Sequence, residues 1–211
     1  MSKLEIDITI RELNRGEEKI ILFGETHGFI DDEVGHIEEL IKIFRPNIIL
    51  YELLEAEKLT TFNSKEKFLE NPDNKRFSII SDYGSLKNVV KLAKRYNLPI
   101  EGCDLKNMGR SKPVTIKANP TKKELDFEER INNRREKYTL KFIKEAISKN
   151  KLCFVIIGAY HLRKESPLIK GLNKMIIVYP TYKGNTEFAP DQIKSQEDVI
   201  YIVEKLNHQR K

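Results

Sequence analysis

Two hydrophobic periods run along this chain. Leu4-Glu5-Ile6-Asp7-Ile8-Thr9-Ile10 switches between apolar and polar at every step, the period of a half-exposed strand, here expected at a sheet edge. Residues 19–23, 48–51, 99–103, 152–157 and 175–178 are short, largely apolar runs that read as further strands. Between them the spacing changes to the helical one. Val34, Ile37, Leu40, Ile41 and Phe44 recur at 3.6-residue intervals, after Asp31 or Asp32 as a cap and before Pro46 as a stop. Leu86, Val89, Val90 and Ala93 do the same from Ser85 to Tyr96. Thr121 with Glu124 matches a capping box opening a helix to Ser148, whose apolar stripe breaks at residues 132–137. A last helix is expected from about Gln192 to Leu206, packing Ile193, Val199, Ile202 and Val203.

Strand, helix and strand in succession predict β-α-β units with right-handed crossovers. The expected fold is therefore α/β, a mainly parallel central sheet flanked by helices, with functional loops at its carboxyl edge. Its 211 residues suit one domain over 1–211. Residues 53–82, with a short helix near Ser64–Glu70 and the breaker Asn71-Pro72-Asp73-Asn74, suit a lid or small insertion.

Charge changes this picture little. The net +6, from 38 basic and 32 acidic residues, raises nucleic acid as a partner. The two signs are interleaved almost everywhere, as on solvated helix faces, and no recognition motif accompanies them, so nucleic acid is disfavoured. The basic loop 106–120, continuing to Lys122-Lys123, is the main exception; it reads as a solvated linker before it reads as a cradle for an anionic ligand. No apolar run approaches the ~20 residues of a membrane span, and the first residues lack a secretory pattern, so a cytoplasmic protein without a membrane anchor is expected. Cys103 and Cys153 form no CxxC pair and read as reduced, buried thiols. Oligomerisation is left open.

Candidate chemistry lies where strands end. Ile20-Ile21-Leu22-Phe23 runs into Gly24-Glu25-Thr26-His27-Gly28, and Phe154-Val155-Ile156-Ile157 into Gly158-Ala159-Tyr160-His161. Each pairs an apolar run with a glycine and a histidine three residues later. Ile48-Ile49-Leu50-Tyr51 ends directly in Glu52. Glu25, His27, Glu52 and His161 could thus meet on one sheet edge. A histidine oriented by a carboxylate is a general base, and a second imidazole can stabilise an oxyanion, protonate a leaving group or ligate a metal. Serine and cysteine nucleophiles lack the required context, so activated water is expected to do any hydrolysis. His27, His161, Glu25 and Glu52 match the donor types of a Mn²⁺, Co²⁺ or Zn²⁺ site. Asp31, Asp32 and Glu136 are acids placed to support such a centre. Arg135 and Glu136 admit two readings, a surface ion pair or an inward arginine that clamps an anion or holds a catalytic glutamate.

Gly24-Glu25-Thr26-His27-Gly28, Glu52 and Gly158-Ala159-Tyr160-His161-Leu162 resemble motifs of the TraB/TIKI superfamily, which includes erythromycin-esterase-like and ChaN-like proteins. Arg134-Arg135-Glu136-Lys137-Tyr138-Thr139 resembles its helical Arg-Asp-x-x-Met segment, with Thr139 in the methionine position. The resemblance implies an α/β fold with a polar pocket at the sheet edge, in a group ranging from histidine-dependent esterases through proposed metalloproteases to haem binders. Two functional expectations follow. One is a hydrolase of a small-molecule or peptide ester or amide, with Glu25, His27, Glu52, His161 and Arg135 as its residues, Arg135 positioning an anionic part. The other is a non-catalytic pocket for haem or an anionic small molecule, with Tyr160 or a histidine as axial ligand.

Overall fold

The computed structural model describes residues 6–11, 20–25, 33–70, 83–110, 119–149, 151–172, 175–182 and 199–201. The described strands form one sheet, in the order β4-β5-β3-β6-β2-β7-β1-β8. They are β1 (Ile6–Arg11), β2 (Ile20–Glu25), β3 (Ile48–Tyr51), β4 (Lys58–Leu59), β5 (Ile100–Gly102), β6 (Cys153–Gly158), β7 (Ile176–Tyr182) and β8 (Val199–Tyr201). β5, β3, β6, β2 and β7 run parallel, and β4 and β1 pair antiparallel onto the two ends of that set. The fold is α/β, as the strand–helix succession implies.

Parallel strands covered on both faces bury every residue, which is why their sequences are continuously apolar rather than alternating. Odd and even positions nonetheless feed two separate cores. Ile21, Phe23, Ile49, Tyr51, Phe154 and Ile156 pack under helices α1 (Glu33–Phe44) and α3 (Tyr83–Arg95). Ile20, Leu22, Ile48, Leu50, Val155 and Ile157 pack under α4 (Lys122–Ser148) and the short α5 (Pro167–Lys170). The connection β2–α1–β3 steps across the sheet in one direction, and β5–α4–β6 returns, so a right-handed crossover must place α4 on the opposite face. β6 therefore lies between β2 and β3, whose connections leave on the other side. That reversal is where open α/β sheets form a crevice beyond the strands' carboxyl ends.

Between β3 and α3, a single 3₁₀ turn (Glu52–Leu54), β4 and α2 (Phe62–Glu70) extend the sheet edge and the first core through Leu53, Leu54, Leu59 and Phe68. Lys65 is buried with them; its ammonium lies 3.4 Å from the Thr61 carbonyl, and burial lowers its pKa. Residues 71–82 fall outside the described part. The Thr121 capping box forms as expected, with the Glu124 amide 3.3 Å from Thr121 Oγ1 and the Thr121 amide 2.8 Å from Glu124 Oε2.

Two expectations change. β1 is not at an edge, because β8 pairs on its far side. The helix expected across 192–206 is contradicted at Val199–Tyr201, which is that strand. Val199-Ile200-Tyr201-Ile202-Val203 is a β-branched and aromatic run, and its strand preference outweighs an apolar spacing that also suits a helix.

Gly102 marks the tightest approach in the frame. A Cβ there would lie 2.0 Å from the Glu55 carbonyl oxygen and 2.7 Å from the Leu54 carbonyl carbon, both backbone atoms. A Cβ at Gly171 would meet the tip of the Leu140 side chain at 2.2 Å, with its nearest backbone atom, the Pro167 carbonyl oxygen, at 3.0 Å. Gly102→Ala is therefore expected to destabilise by about 3 kcal/mol or more and Gly171→Ala by clearly less, in urea unfolding at neutral pH. Equal costs would contradict the backbone clash.

Candidate active site

The carboxyl ends of β2, β3, β5 and β6 each deliver polar side chains, and residue parity decides which face receives them. Glu52 follows Tyr51, so it turns to the α4 face. Glu25 shares the parity of Ile21 and Phe23 and ends β2 on the α1/α3 face. The sheet separates these two carboxylates.

On the α4 face, Asp104, Arg135, Glu52, His161, Glu136 and Arg163 form a chain of alternating charge. Arg135 Nε lies 2.9 Å and Nη2 2.7 Å from Asp104 Oδ2, and the same Nη2 donates to Glu52 Oε1. His161 Nε2 is 3.3 Å from Glu52 Oε1, and His161 Nδ1 is 2.9 Å from Glu136 Oε1. Arg163 closes the chain on Glu136, where Ser166 Oγ also donates at 2.8 Å. Glu52 Oε2 takes the Gly158 amide at 2.5 Å. Two guanidiniums and an imidazole thus face three carboxyl groups, nearly all of them buried. Such a set persists only when every charge has a partner, because desolvation of each ion is costly.

Helix α4 supplies the middle of this chain. Its buried positions are Ile131, Arg135, Glu136, Thr139, Ile143 and Ala146, so the break in its apolar stripe is the part that faces the site. Arg135 points inward, the second of the two readings its sequence allowed, and Glu136 goes with it. Thr139 donates to the Cys103 carbonyl at 2.8 Å, tying α4 to the end of β5.

The 3₁₀ turn Ala159–Leu162 presents His161. It lies tight against β2, since a Cβ on Gly24 would come within 3.2 Å of Ala159 Cα. Gly24 and Glu25 belong to the strand rather than to a loop, so Gly24 serves close approach. On the other face, Tyr51 Oη donates to Glu25 Oε1 at 2.8 Å, Ser85 Oγ donates to the same oxygen, and Tyr51 and Ser85 are 3.2 Å apart. His27, Asp31 and Asp32 lie outside the described residues.

Electrostatics follow from this layout. Burial works against the His161 imidazolium, but the charge of Glu52 and hydrogen bonds to Glu136 and Glu52 outweigh it and raise its pKa above 6.5. Burial likewise opposes ionised Glu136, yet hydrogen bonds from His161, Arg163 and Ser166 bring its pKa below 4.5. Asp104 goes the other way: burial, with Glu52 nearby, leaves it above 3.8 despite Arg135. Arg135 stays a cation, its burial more than offset by Glu52 and Asp104. Both cysteines are free and buried. Burial raises the Cys103 thiol well above its usual range and pushes Cys153 up to about 11, so neither is poised as a nucleophile.

Of the residues singled out from sequence, Glu52, His161, Arg135 and Glu136 come together, and Glu25 is held separately by Tyr51 and Ser85. Tyr160 is 55% exposed beside His161. Asp104, Arg163, Ser166, Tyr51 and Ser85 were not anticipated. Asp104 carried a usable signal, an acid just past a strand end like Glu52. Among the described residues, no group of three or more His, Cys, Asp or Glu side chains is arranged to hold a metal ion. His161 and Glu52 direct their side-chain atoms at each other and at Glu136, Arg135 and the Gly158 amide. No described helix is long and apolar enough to cross a membrane.

No family model and no curated protein sequence matches the chain. Two solved structures are similar to it at a low level. The type III effector HopBA1 is 15% identical with a TM-score of 0.48, over 83% of this chain and 84% of that one. RRSP, a MARTX toxin effector domain from Vibrio vulnificus CMCP6, is 13% identical with a TM-score of 0.48, over 86% of this chain. The match spans 38% of the RRSP chain. Likeness at that level carries nothing about chemistry.

The signs of the pKa shifts set a pH window. His161, raised, contributes stability that is complete below about 6.5 and lost as pH climbs through its folded value. Glu136, lowered, contributes stability present above about 4.5 and lost as pH falls through its folded value. Asp104, raised, costs stability once pH exceeds about 3.8, partly opposing Glu136 on the acid side. In an NMR titration His161 should therefore titrate above 6.5, and Glu136→Gln should bring it down. A wild-type value at or below 6.5, or no change in the variant, would contradict the arrangement.

Proposed function

We propose that this protein hydrolyses an ester or amide with water activated at the carboxyl edge of its sheet, without a covalent enzyme intermediate. The observation that supports it best is His161 held between Glu52 and Glu136. An imidazole whose Nδ1 is fixed by one carboxylate, and whose proton is retained by two, suits a general acid or an electrophile. His161 is then the group that protonates the leaving atom or steadies the oxyanion. His27, which lies outside the described residues, is the proposed base that takes a proton from water, oriented by Glu25 or Glu52. Arg135 acts through Glu52 rather than on substrate, because Asp104 and Glu52 occupy its guanidinium.

The sequence motifs support a place near the esterase branch of the TraB/TIKI superfamily. No step here is routed through a metal, and a divalent ion held by His27, His161, Glu25 and Glu52 stays a separate proposal for direct elemental analysis.

A screen of esters and amides with the purified protein tests the reading. His161→Ala and His27→Ala should each lower turnover by roughly 10²–10⁴ with the far-UV circular dichroism unchanged. With His161 as acid, activity should also decline as pH rises through the raised His161 value, and in Glu136→Gln that alkaline limb should move to lower pH. Wild-type turnover in His161→Ala on an identified substrate would remove the assignment.

A further inference from the structure

Next to His161 the structure holds a flat aromatic surface that the hydrolytic scheme does not use. Tyr160 is 55% exposed, one of the exposed large hydrophobic residues among those described. Its ring meets His161 edge-on, with centroids 6.0 Å apart at 78°. Arg163 lies over the ring, its guanidinium carbon 4.4 Å from the centroid.

Arg163 is not a mobile surface arginine. It bonds Glu136 Oε1, reaches Glu136 Oε2 and Asn133 Oδ1 at 3.5 Å, and donates to the Tyr160 carbonyl at 3.2 Å. Its side chain is only 11% exposed. The cation is pinned by the carboxylate that orients His161, and the tyrosine ring rests on the cation. Ring, arginine and imidazole are therefore one rigid assembly, and a rigid aromatic face costs little entropy when it binds.

The backing cation also selects what the ring can hold. An aromatic face attracts cations through its negative quadrupole, and Arg163 already draws on that density. A second cation on the outer face would meet a depleted ring and a like charge behind it. A neutral planar ring escapes that penalty and gains from stacking in an offset geometry, with ring centroids about 4.5–7 Å apart. A saturated ring offers no π-face and loses that gain.

We propose that Tyr160, backed by Arg163, is a substrate-specificity platform that stacks a neutral planar aromatic group next to the bond to be cleaved. The proposal rests on the hydrolytic reading for the phrase "bond to be cleaved", and its test reads binding alone. The full-length protein, with ring-labelled tyrosine, is titrated with benzamide and with cyclohexanecarboxamide, neutral amides that differ in the planarity of the ring. The tyrosine signal absent from Tyr160→Ala identifies the residue.

Benzamide should move the Tyr160 ring signal and bind roughly three- to tenfold more tightly than cyclohexanecarboxamide. Tyr160→Phe should keep that preference and Tyr160→Ala should lose it. Tetramethylammonium should bind more weakly than benzamide. Equal affinity for the two amides, an unmoved Tyr160 signal, or tighter binding of tetramethylammonium would each overturn the platform. Absence of turnover in the ester and amide screen would instead overturn the hydrolytic reading and leave these binding results interpretable.

Discussion

Arg135 between Asp104 and Glu52 is the contact on which the rest of the carboxyl edge depends. A guanidinium is the one cation that never discharges at physiological pH and can engage two carboxylates at once. With Arg135 in place, Glu52 can stay ionised within a buried cluster, and His161 can keep its proton beside it. Without it, two carboxylates would share one apolar space, and at least one would have to take up a proton. The alternation along Asp104, Arg135, Glu52, His161, Glu136 and Arg163 makes this protonation pattern self-consistent. It also joins four separate elements: the ends of β3, β5 and β6, and helix α4.

That dependence bears on function. On the α4 face two guanidiniums and an imidazole are matched against three carboxyl groups. In the proposed reading His161 has what an acid catalyst needs, a raised pKa and a fixed ring. Glu25, on the other face, has its own hydroxyl partners and is independent of the chain. The two carboxylates that look equivalent in sequence are thus held by different chemistry.

Much of this was legible from residues alone. Parallel strands buried on both faces read as plain apolar runs, so β2, β3 and β6 and the groups that end them were visible. His161 and Glu52 were visible for the same reason, since a polar side chain directly after a buried strand has few ordinary uses. Asp104 follows a strand that reads weakly, three residues long with Glu101 at its centre, and no glycine-to-histidine turn marks its end as in β2 and β6. Tyr51 read as one more apolar strand residue, and its hydroxyl contact with Glu25 depends on packing across 26 positions. Arg135 and Glu136 were ambiguous because helical spacing gives their positions but not the burial of that face. β8 was misread because its pairing with β1 joins the two ends of the chain, and local spacing carries no such information.

The central claim is that these charges stabilise one another as a set. A urea-unfolding cycle on Arg135→Met, on the pair Glu52→Gln with Asp104→Asn, and on all three substitutions together tests it most directly. Arg135→Met alone should cost about 3–5 kcal/mol, because it strands two buried carboxylates. Neutralising both of them in that background should restore a large part of the loss, so the effects are far from additive. Additivity within about 0.5 kcal/mol, with a small cost for Arg135→Met, would show that the charges act independently and would contradict the account.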